Sequence, residues 1–195
     1  MINKIPNILT ITRIASMPIF AVLFLVNFPY HFLVAGLLYV VLDFTDIFDG
    51  VIARKYKCVS DFGKFWDPVA DKIMMTVALV CMVAYGICWT QWAGALMTIL
   101  MIVRDLAVNG LRMMAASKGK VMAADMGGKV KTWFINISIP ICVIGFQWVG
   151  VSDYFAYVVT NLGYAGWAAA VLISLVSGVF YFVRNRDVLT NHENG

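Results

Sequence analysis

Residues 46–71 read DIFDGVIARKYKCVSDFGKFWDPVAD and lie between two long apolar stretches of the chain. Four aspartates occur in this segment at short, regular spacings: Asp46, Asp49, Asp67 and Asp71. Because a carboxylate is expensive to bury in lipid, a regular cluster of carboxylates beside apolar runs indicates a functional site. The segment also fixes the architecture, since it marks the ends of two helices that enter a membrane.

The composition around this segment is too apolar for an ordinary soluble domain. Of the 195 residues, 62% are hydrophobic and 13% are charged, with a mean hydropathy of +0.83. Soluble domains are about a quarter charged. The apolar residues form long runs, which indicates an integral membrane protein. The basic residues are spread along the chain without a basic-aromatic pattern, so no nucleic-acid binding is expected.

The uncharged runs in the first half of the chain predict four transmembrane helices. Residues 14–30 belong to the first. Residues 31–42 are too few to cross about 30 Å of hydrocarbon at 1.5 Å per residue, so the second helix must continue through the aspartates to about Arg54. Residues 73–103 are too many for one span, and Gly86 with the tryptophans after it predicts a turn that divides them.

The second half of the chain predicts two more spans. The fifth is expected at residues 132–152, and the sixth within residues 154–183. The sequence Asn161-Leu162-Gly163 is expected near the start of the sixth helix.

The placement of Lys and Arg predicts that both termini lie in the cytoplasm, because cytoplasmic connections carry the excess of basic residues. Basic residues occur around the start of the first span, in the second and fourth connections and after the sixth span, whereas the other three connections contain none. They are Lys4, Arg13, Lys55, Lys57, Lys64, Lys118, Lys120, Lys129, Lys131, Arg184 and Arg186. The expected fold is a single all-α membrane domain over residues 1–195, in a bacterial-type cytoplasmic membrane. Its active site faces the cytoplasm at the ends of helices two and three.

Helical spacing places the polar residues of the segment on two faces. At about 100° per residue, one face of roughly 140° carries Asp46, Asp49, Gly50, Ala53 and Arg54, and a second of roughly 80° carries Gly63, Asp67 and Asp71. Pro68 leaves two alternatives for helix three: it begins near Ser60 and bends at Pro68, or Asp67 caps it. Two antiparallel helices would bring the four carboxylates to one pocket.

Four carboxylates at such short distances from one another require cations to stay ionised. Arg54 and Lys72 supply too little positive charge to balance them, and oxygen-only ligation favours Mg²⁺ or Mn²⁺. Two such ions bridged by aspartates suit displacement at phosphorus, because they neutralise phosphate oxygens and the leaving group. Gly50 and Gly63 allow a phosphate or nucleotide to approach the backbone closely.

The segment resembles the signature of the CDP-alcohol phosphotransferases, D-x-x-D-G-x-x-A-R, eight residues, then G-x-x-x-D-x-x-x-D, with every fixed position present. Members of this family are integral membrane enzymes that displace CMP from a CDP-linked lipid or alcohol. The resemblance implies that the four aspartates hold two metal ions and that Asp71 is also the general base for the acceptor hydroxyl. It implies CDP contacts from Gly50, Arg54, Ser60 and Gly63. Asn7 and Thr10 either cap the first helix or contact the cytidine end.

Three segments outside the signature resemble the branch of the family whose acceptor is sn-glycerol 3-phosphate: residues 5–13, 104–112 and 128–132. Relatives more often carry Glu where this chain has Asp105. A dianionic acceptor needs cations, and the candidates are Arg104, Arg112, Lys129 and Lys131. The alternative is that Arg104 pairs with Asp105 or reaches to the membrane surface, and that the lysines only set the topology.

The expected reaction is metal-dependent transfer of a phosphatidyl group from CDP-diacylglycerol to sn-glycerol 3-phosphate, which gives phosphatidylglycerophosphate and CMP in phospholipid biosynthesis. The alternatives within the family are cardiolipin, phosphatidylserine and phosphoinositide synthases. An aspartate-rich membrane prenyltransferase would need a second aspartate cluster, and a cation transporter would need acidic residues across the membrane depth. The resemblance also makes a homodimer plausible.

Overall fold

The described chain is a bundle of α-helices. The computed structural model describes residues 5–55, 61–119, 122 and 126–187, and within these ranges it contains helices and no strand. The helices are α1 (Ile5–Leu25), α2 (His31–Lys55), α3 (Asp61–Ala84), α4 (Gln91–Ser117), α5 (Met126–Phe146) and α6 (Asp153–Arg184). The helix order confirms the prediction of an all-helical protein.

Three of these helices, α4, α5 and α6, are long and apolar enough to cross a membrane. The apolar parts described for α1 and α2 are shorter, at Ile11–Leu25 and His31–Thr45. One face of α4 exposes Leu96, Ile99 and Val103, each more than half accessible, at the spacing of a helical stripe. Such a stripe suits contact with lipid tails. The number of complete crossings and the side on which the termini lie stay predictions.

The bounds of α2 and α3 agree with those expected from the length needed to cross a membrane. Helix α2 continues through Asp46 and Asp49 and ends at Lys55, as the shortness of its uncharged part predicted. Helix α3 begins at Asp61 and continues through position 68, so Asp67 does not cap it. The predicted start near Ser60 is therefore confirmed, and the bend at Pro68 stays a prediction.

The predicted turn between the third and fourth helices is also present. Gly86 has a positive φ of 71°, a conformation that glycine adopts without strain. Thr90 then caps α4, because its hydroxyl accepts a hydrogen bond from the amide of Ala93 at 3.1 Å.

The sixth helix contains the predicted residues 154–183, but the predicted bounds of the fifth helix and the predicted start of the sixth were wrong. Helix α5 begins at Met126 and ends at Phe146, six residues earlier at each end than the expected span. The charged residues near the start of α5 are typical of a connection outside the membrane. Lys131 is nevertheless buried inside the bundle, so the helix begins before it. The sequence Asn161-Leu162-Gly163 lies within α6 rather than near its start. Gly163 faces Cys142 of α5, so the missing side chain permits close helix packing instead of ending a helix.

Helix packing brings the site together at one end of the bundle. Helix α1 lies against both α2 and α3, α5 contacts α2, α3 and α6, and α4 contacts α3 and α6. Residues 71–75 of α3, 104–112 of α4 and 128–133 of α5 surround the cavity described next.

Candidate active site

A basic cavity of about 350 Å³ lies between α3, α4 and α5. Its charged lining residues are five cations and two carboxylates: Lys72, Arg104, Arg112, Lys129, Lys131, Asp71 and Asp105. All four residues predicted to bind the acceptor phosphate therefore lie around one space. An excess of cations in a cleft favours an anionic ligand.

Arg104 is held by three partners. Its Nε donates to the carbonyl oxygen of Ser174 at 3.0 Å, and its Nη2 donates to Oγ of Ser177 at 2.8 Å. Its Nη1 contacts Oδ1 of Asp105 at 3.1 Å. The pairing of Arg104 with Asp105, which the sequence left open, is present, and the guanidinium also lines the cavity.

Helix α6 makes room for Arg104 by carrying a glycine beneath it. A Cβ atom placed on Gly178 would lie 3.0 Å from Cγ and 3.2 Å from Nε of Arg104. Both distances are shorter than ordinary van der Waals contacts, so a side chain at position 178 would require Arg104 to shift by a few tenths of an ångström. Ser174, Ser177 and Gly178 thus form a cradle on α6 for Arg104.

Arg112 and Lys131 are anchored differently. Nε of Arg112 donates to the hydroxyl of Tyr181 at 3.1 Å, and its guanidinium carbon lies 5.4 Å from the centre of that ring. Lys131 is only 4% exposed and pairs with the carboxylate of Asp105. This lysine is therefore an interior residue, and a role in topology alone does not account for it.

Asp71 lies where the basic cavity meets an apolar groove. The groove, of about 740 Å³, runs along α2 and α5 and is lined by Val40, Phe44, Ile137, Pro140, Ile141, Ile144 and Val159, together with Asp43 and Asn136. Half-buried Asp71 lines both spaces, as do Thr132 and Trp133. The wall shared by the two spaces thus carries the carboxylate that the sequence predicted as the general base.

Asp43, one helical turn before Asp46, also faces this groove. Its Oδ1 accepts a hydrogen bond from Nδ2 of Asn136 at 2.5 Å, and the hydroxyl of Tyr39 donates to Oδ1 of Asn136 at 3.3 Å. A polar connection between α2 and α5 therefore lies beside the predicted metal site. Asp43 of α2 and Asp71 of α3 thus line one groove.

The remaining predicted site residues are only partly described. Asp46, Asp49, Gly50 and Arg54 occupy positions in α2, Gly63 and Asp67 in α3, and Asn7 and Thr10 in α1. Their side chains, and all of Ser60, lie outside the described residues. Among the side chains that the structure does describe, no three from His, Cys, Asp and Glu form a metal-binding group.

The comparison with known protein families agrees with this geometry. Residues 3–175 match the CDP-alcohol phosphatidyltransferase family. The chain belongs to this family. It is therefore a transferase, and the resemblance seen in the aspartate segment is confirmed.

Curated members of the CDP-alcohol phosphatidyltransferase family align over most of the chain. A protein of Bacillus subtilis named CDP-diacylglycerol--glycerol-3-phosphate 3-phosphatidyltransferase is 36% identical over 199 residues, covering 95% of this chain and 97% of that protein. A protein of the same name from Rickettsia bellii is 32% identical over 92% of this chain and 94% of its own length. A probable phosphatidylglycerophosphate synthase of Mycobacterium tuberculosis is 33% identical over 96% and 84%. The predicted resemblance to the glycerol 3-phosphate branch is thus confirmed by the sequence similarity to these proteins.

Sequence reasoning missed several residues of this phosphatidyltransferase site. Lys72 lines the cavity, although it was counted only toward charge balance. The α6 cradle and Tyr181 gave no usable signal, because serine, glycine and tyrosine are common in membrane helices for packing alone.

Proposed function

We propose that this protein transfers a phosphatidyl group from CDP-diacylglycerol to sn-glycerol 3-phosphate. The observation that carries the proposal is the junction of a basic cavity and an apolar groove at Asp71. The cavity has the charge to hold the acceptor phosphate, and the groove has the apolar lining to hold acyl chains. The names of the similar proteins support the same pair of substrates.

In the proposed step, a hydroxyl oxygen of the acceptor forms a bond to the phosphorus that carries the diacylglycerol. The bond from this phosphorus to the CMP oxygen breaks, and CMP leaves. Asp71 accepts the hydroxyl proton, since its carboxylate stands at the wall between the two substrate spaces. The basic side chains orient the acceptor so that its hydroxyl reaches that wall.

The proposal includes two divalent cations, Mg²⁺ or Mn²⁺, held by Asp46, Asp49, Asp67 and Asp71. The donor set fits, because hard cations prefer carboxylate oxygens and Asp71 is half-buried beside an apolar groove. When bound, such ions supply the positive charge that offsets the phosphate oxygens of the donor. Asp43, fixed by Asn136, adds a further carboxylate one turn from Asp46.

The proposal also keeps the finer expectations that the aspartate segment raised. The CDP moiety is bound by Asn7, Thr10, Gly50, Arg54, Ser60 and Gly63. Residues 1–195 form one membrane domain of six transmembrane helices in the cytoplasmic membrane, with both termini and the active site on the cytoplasmic side. A homodimer stays a prediction.

Other acceptors within the family are the alternatives. Cardiolipin, phosphatidylserine and phosphoinositide synthases use the same donor chemistry. The five cations of the cavity favour an acceptor that carries a phosphate over serine, whose net charge is zero. Membership of the family favours phosphatidyl transfer over the prenyltransferase and the cation transporter considered at the outset.

The direct test measures CMP release by the purified protein from CDP-diacylglycerol with a panel of acceptors. We expect release with sn-glycerol 3-phosphate, its loss with EDTA, and its recovery when Mg²⁺ or Mn²⁺ is added in excess. Release that needs serine or phosphatidylglycerol instead would contradict the acceptor assignment. Full activity in EDTA would contradict the metal requirement.

The α6 cradle gives a further prediction. Gly178→Ala should lower kcat/KM for sn-glycerol 3-phosphate by roughly ten- to a hundredfold, because a displaced Arg104 misplaces the acceptor. Steady-state kinetics with each substrate varied in turn would measure this.

Gly110→Ala is the matched control for that variant. Gly110 lies in α4, and a Cβ atom there meets nothing within 4 Å. Since alanine is also the better helix former, we expect normal activity from this variant. Equal kinetics for the two alanine variants would show that the position of Arg104 is unimportant.

A further inference from the structure

A buried carboxylate stands in the wall of the basic cavity. Asp105 is 8% exposed, and its Oδ1 accepts hydrogen bonds from both Nη1 of Arg104 and Nζ of Lys131. A negative charge in this place repels any phosphate that enters the cavity. Asp105 therefore offsets part of the positive charge of the cavity.

We propose that Asp105 is a positioning residue that fixes two cations in the cavity wall and limits how tightly the cavity holds a phosphate. Arg104 comes from α4 and Lys131 from α5, so one carboxylate joins two helices. Both cations are nearly buried, with side-chain exposures of 10% and 5%. Without a common counter-ion, two buried cations at this short separation would repel each other and move apart.

The cavity cations thus divide into two sets. Arg104 and Lys131 are fixed by Asp105, and the cradle on α6 also binds Nε and Nη2 of Arg104. Lys72, Arg112 and Lys129 make no ion pair with another residue that the structure describes. These three are the cations that meet an incoming phosphate, while the fixed pair shapes the wall behind it.

Provided that the proposed function holds, a limit on the affinity of the cavity for phosphate allows faster release of the product. The phosphate of the acceptor takes no part in the chemistry and is still present in the lipid product. An interaction that is equal for substrate and product lowers KM without raising kcat, and when it is strong it delays product release. Asp105 offsets part of the positive charge, so the product can leave.

Inorganic phosphate binding to the purified full-length protein tests this, with and without Asp105→Asn. Asparagine keeps the size of the side chain and removes its charge. With one unit of repulsion removed at an effective dielectric constant near 20, the Kd for inorganic phosphate should fall by about tenfold or more. We also expect kcat to fall, through slower product release and a mobile Lys131. Asp105→Glu should restore the phosphate affinity of the natural protein.

The result that would overturn the proposal is a Kd for inorganic phosphate that is unchanged or raised in Asp105→Asn, as expected if the residue only stabilises the fold. Asp153→Asn is the matched control, because Asp153 is exposed in the first turn of α6 and should leave the Kd unchanged.

A double variant guards against poor folding of the single one. Asp105→Asn with Lys131→Met removes both members of the pair and keeps the net charge of the cavity, so phosphate affinity should return toward the natural value. An affinity that stays as high as in Asp105→Asn would contradict the proposed charge balance. Phosphate binding does not depend on the identity of the acceptor alcohol. A failure of the glycerol 3-phosphate assignment would therefore leave this measurement intact.

Discussion

Asp71→Asn is expected to lower kcat for CMP release by about a thousandfold, the usual contribution of a positioned general base. Asparagine has nearly the same shape as aspartate, but its amide does not accept the hydroxyl proton. Asp71 lies in the wall between the basic cavity and the apolar groove, so its loss should affect the chemical step more than the binding of either substrate. A single-turnover assay with both substrates saturating would measure the step directly.

The control for that experiment is Asp153→Asn, which makes the same chemical change at an exposed position in the first turn of α6. Its turnover should equal that of the natural protein. If Asp71→Asn turns over at a rate within a few-fold of the natural protein, Asp71 is not the base. If only the metal concentration for half-maximal rate changes, the residue is a metal ligand without a role in proton transfer.

Arg112→Gln is expected to raise KM for sn-glycerol 3-phosphate by roughly ten- to a hundredfold, because a charge-assisted hydrogen bond to phosphate is worth about 1.5–3 kcal/mol. Tyr181 holds one edge of the guanidinium through Nε, which directs the group along the cavity wall. KM for CDP-diacylglycerol should change little, since Arg112 does not line the apolar groove. Initial rates with each substrate varied separately would give both constants.

Arg184→Gln provides the comparison, because Arg184 is exposed in the last turn of α6. We expect natural values of both Michaelis constants from it. An unaltered KM for sn-glycerol 3-phosphate in Arg112→Gln would remove this arginine from the acceptor site. Equal increases in both constants would indicate a loss of fold rather than of a contact.

The sequence predicted helix extents well where charge and length together allowed one solution. Helix α2 had to pass through Asp46 and Asp49, because its uncharged part alone was too short to cross a bilayer, and it ends at Lys55. The same reasoning failed for α5, because Lys131 near its start has a buried counter-ion on another helix. A single sequence does not show which charges are paired across a fold.

The candidate site also contains residues that the sequence indicated and residues that it did not. The candidates Arg104, Arg112, Lys129 and Lys131 line one cavity, and their binding of the acceptor phosphate stays a prediction. Their partners on α6 were not predictable, because the cradle consists of Ser177, Gly178 and a backbone carbonyl oxygen. Such groups are common in helices, and they bind Arg104 only because α6 packs against α4 at this position.

The wall that Asp71 shares with Thr132 and Trp133 has a consequence for how the two substrates arrive. In the proposed reaction, one substrate is dissolved in water and diffuses in three dimensions, whereas the other is confined to the plane of the bilayer. Because the basic cavity and the apolar groove share these three lining residues and otherwise have different linings, each substrate has a space of its own in the proposed reaction. The order of arrival is then set by the concentrations in two separate phases, and a shortage of lipid and a shortage of acceptor slow the reaction independently.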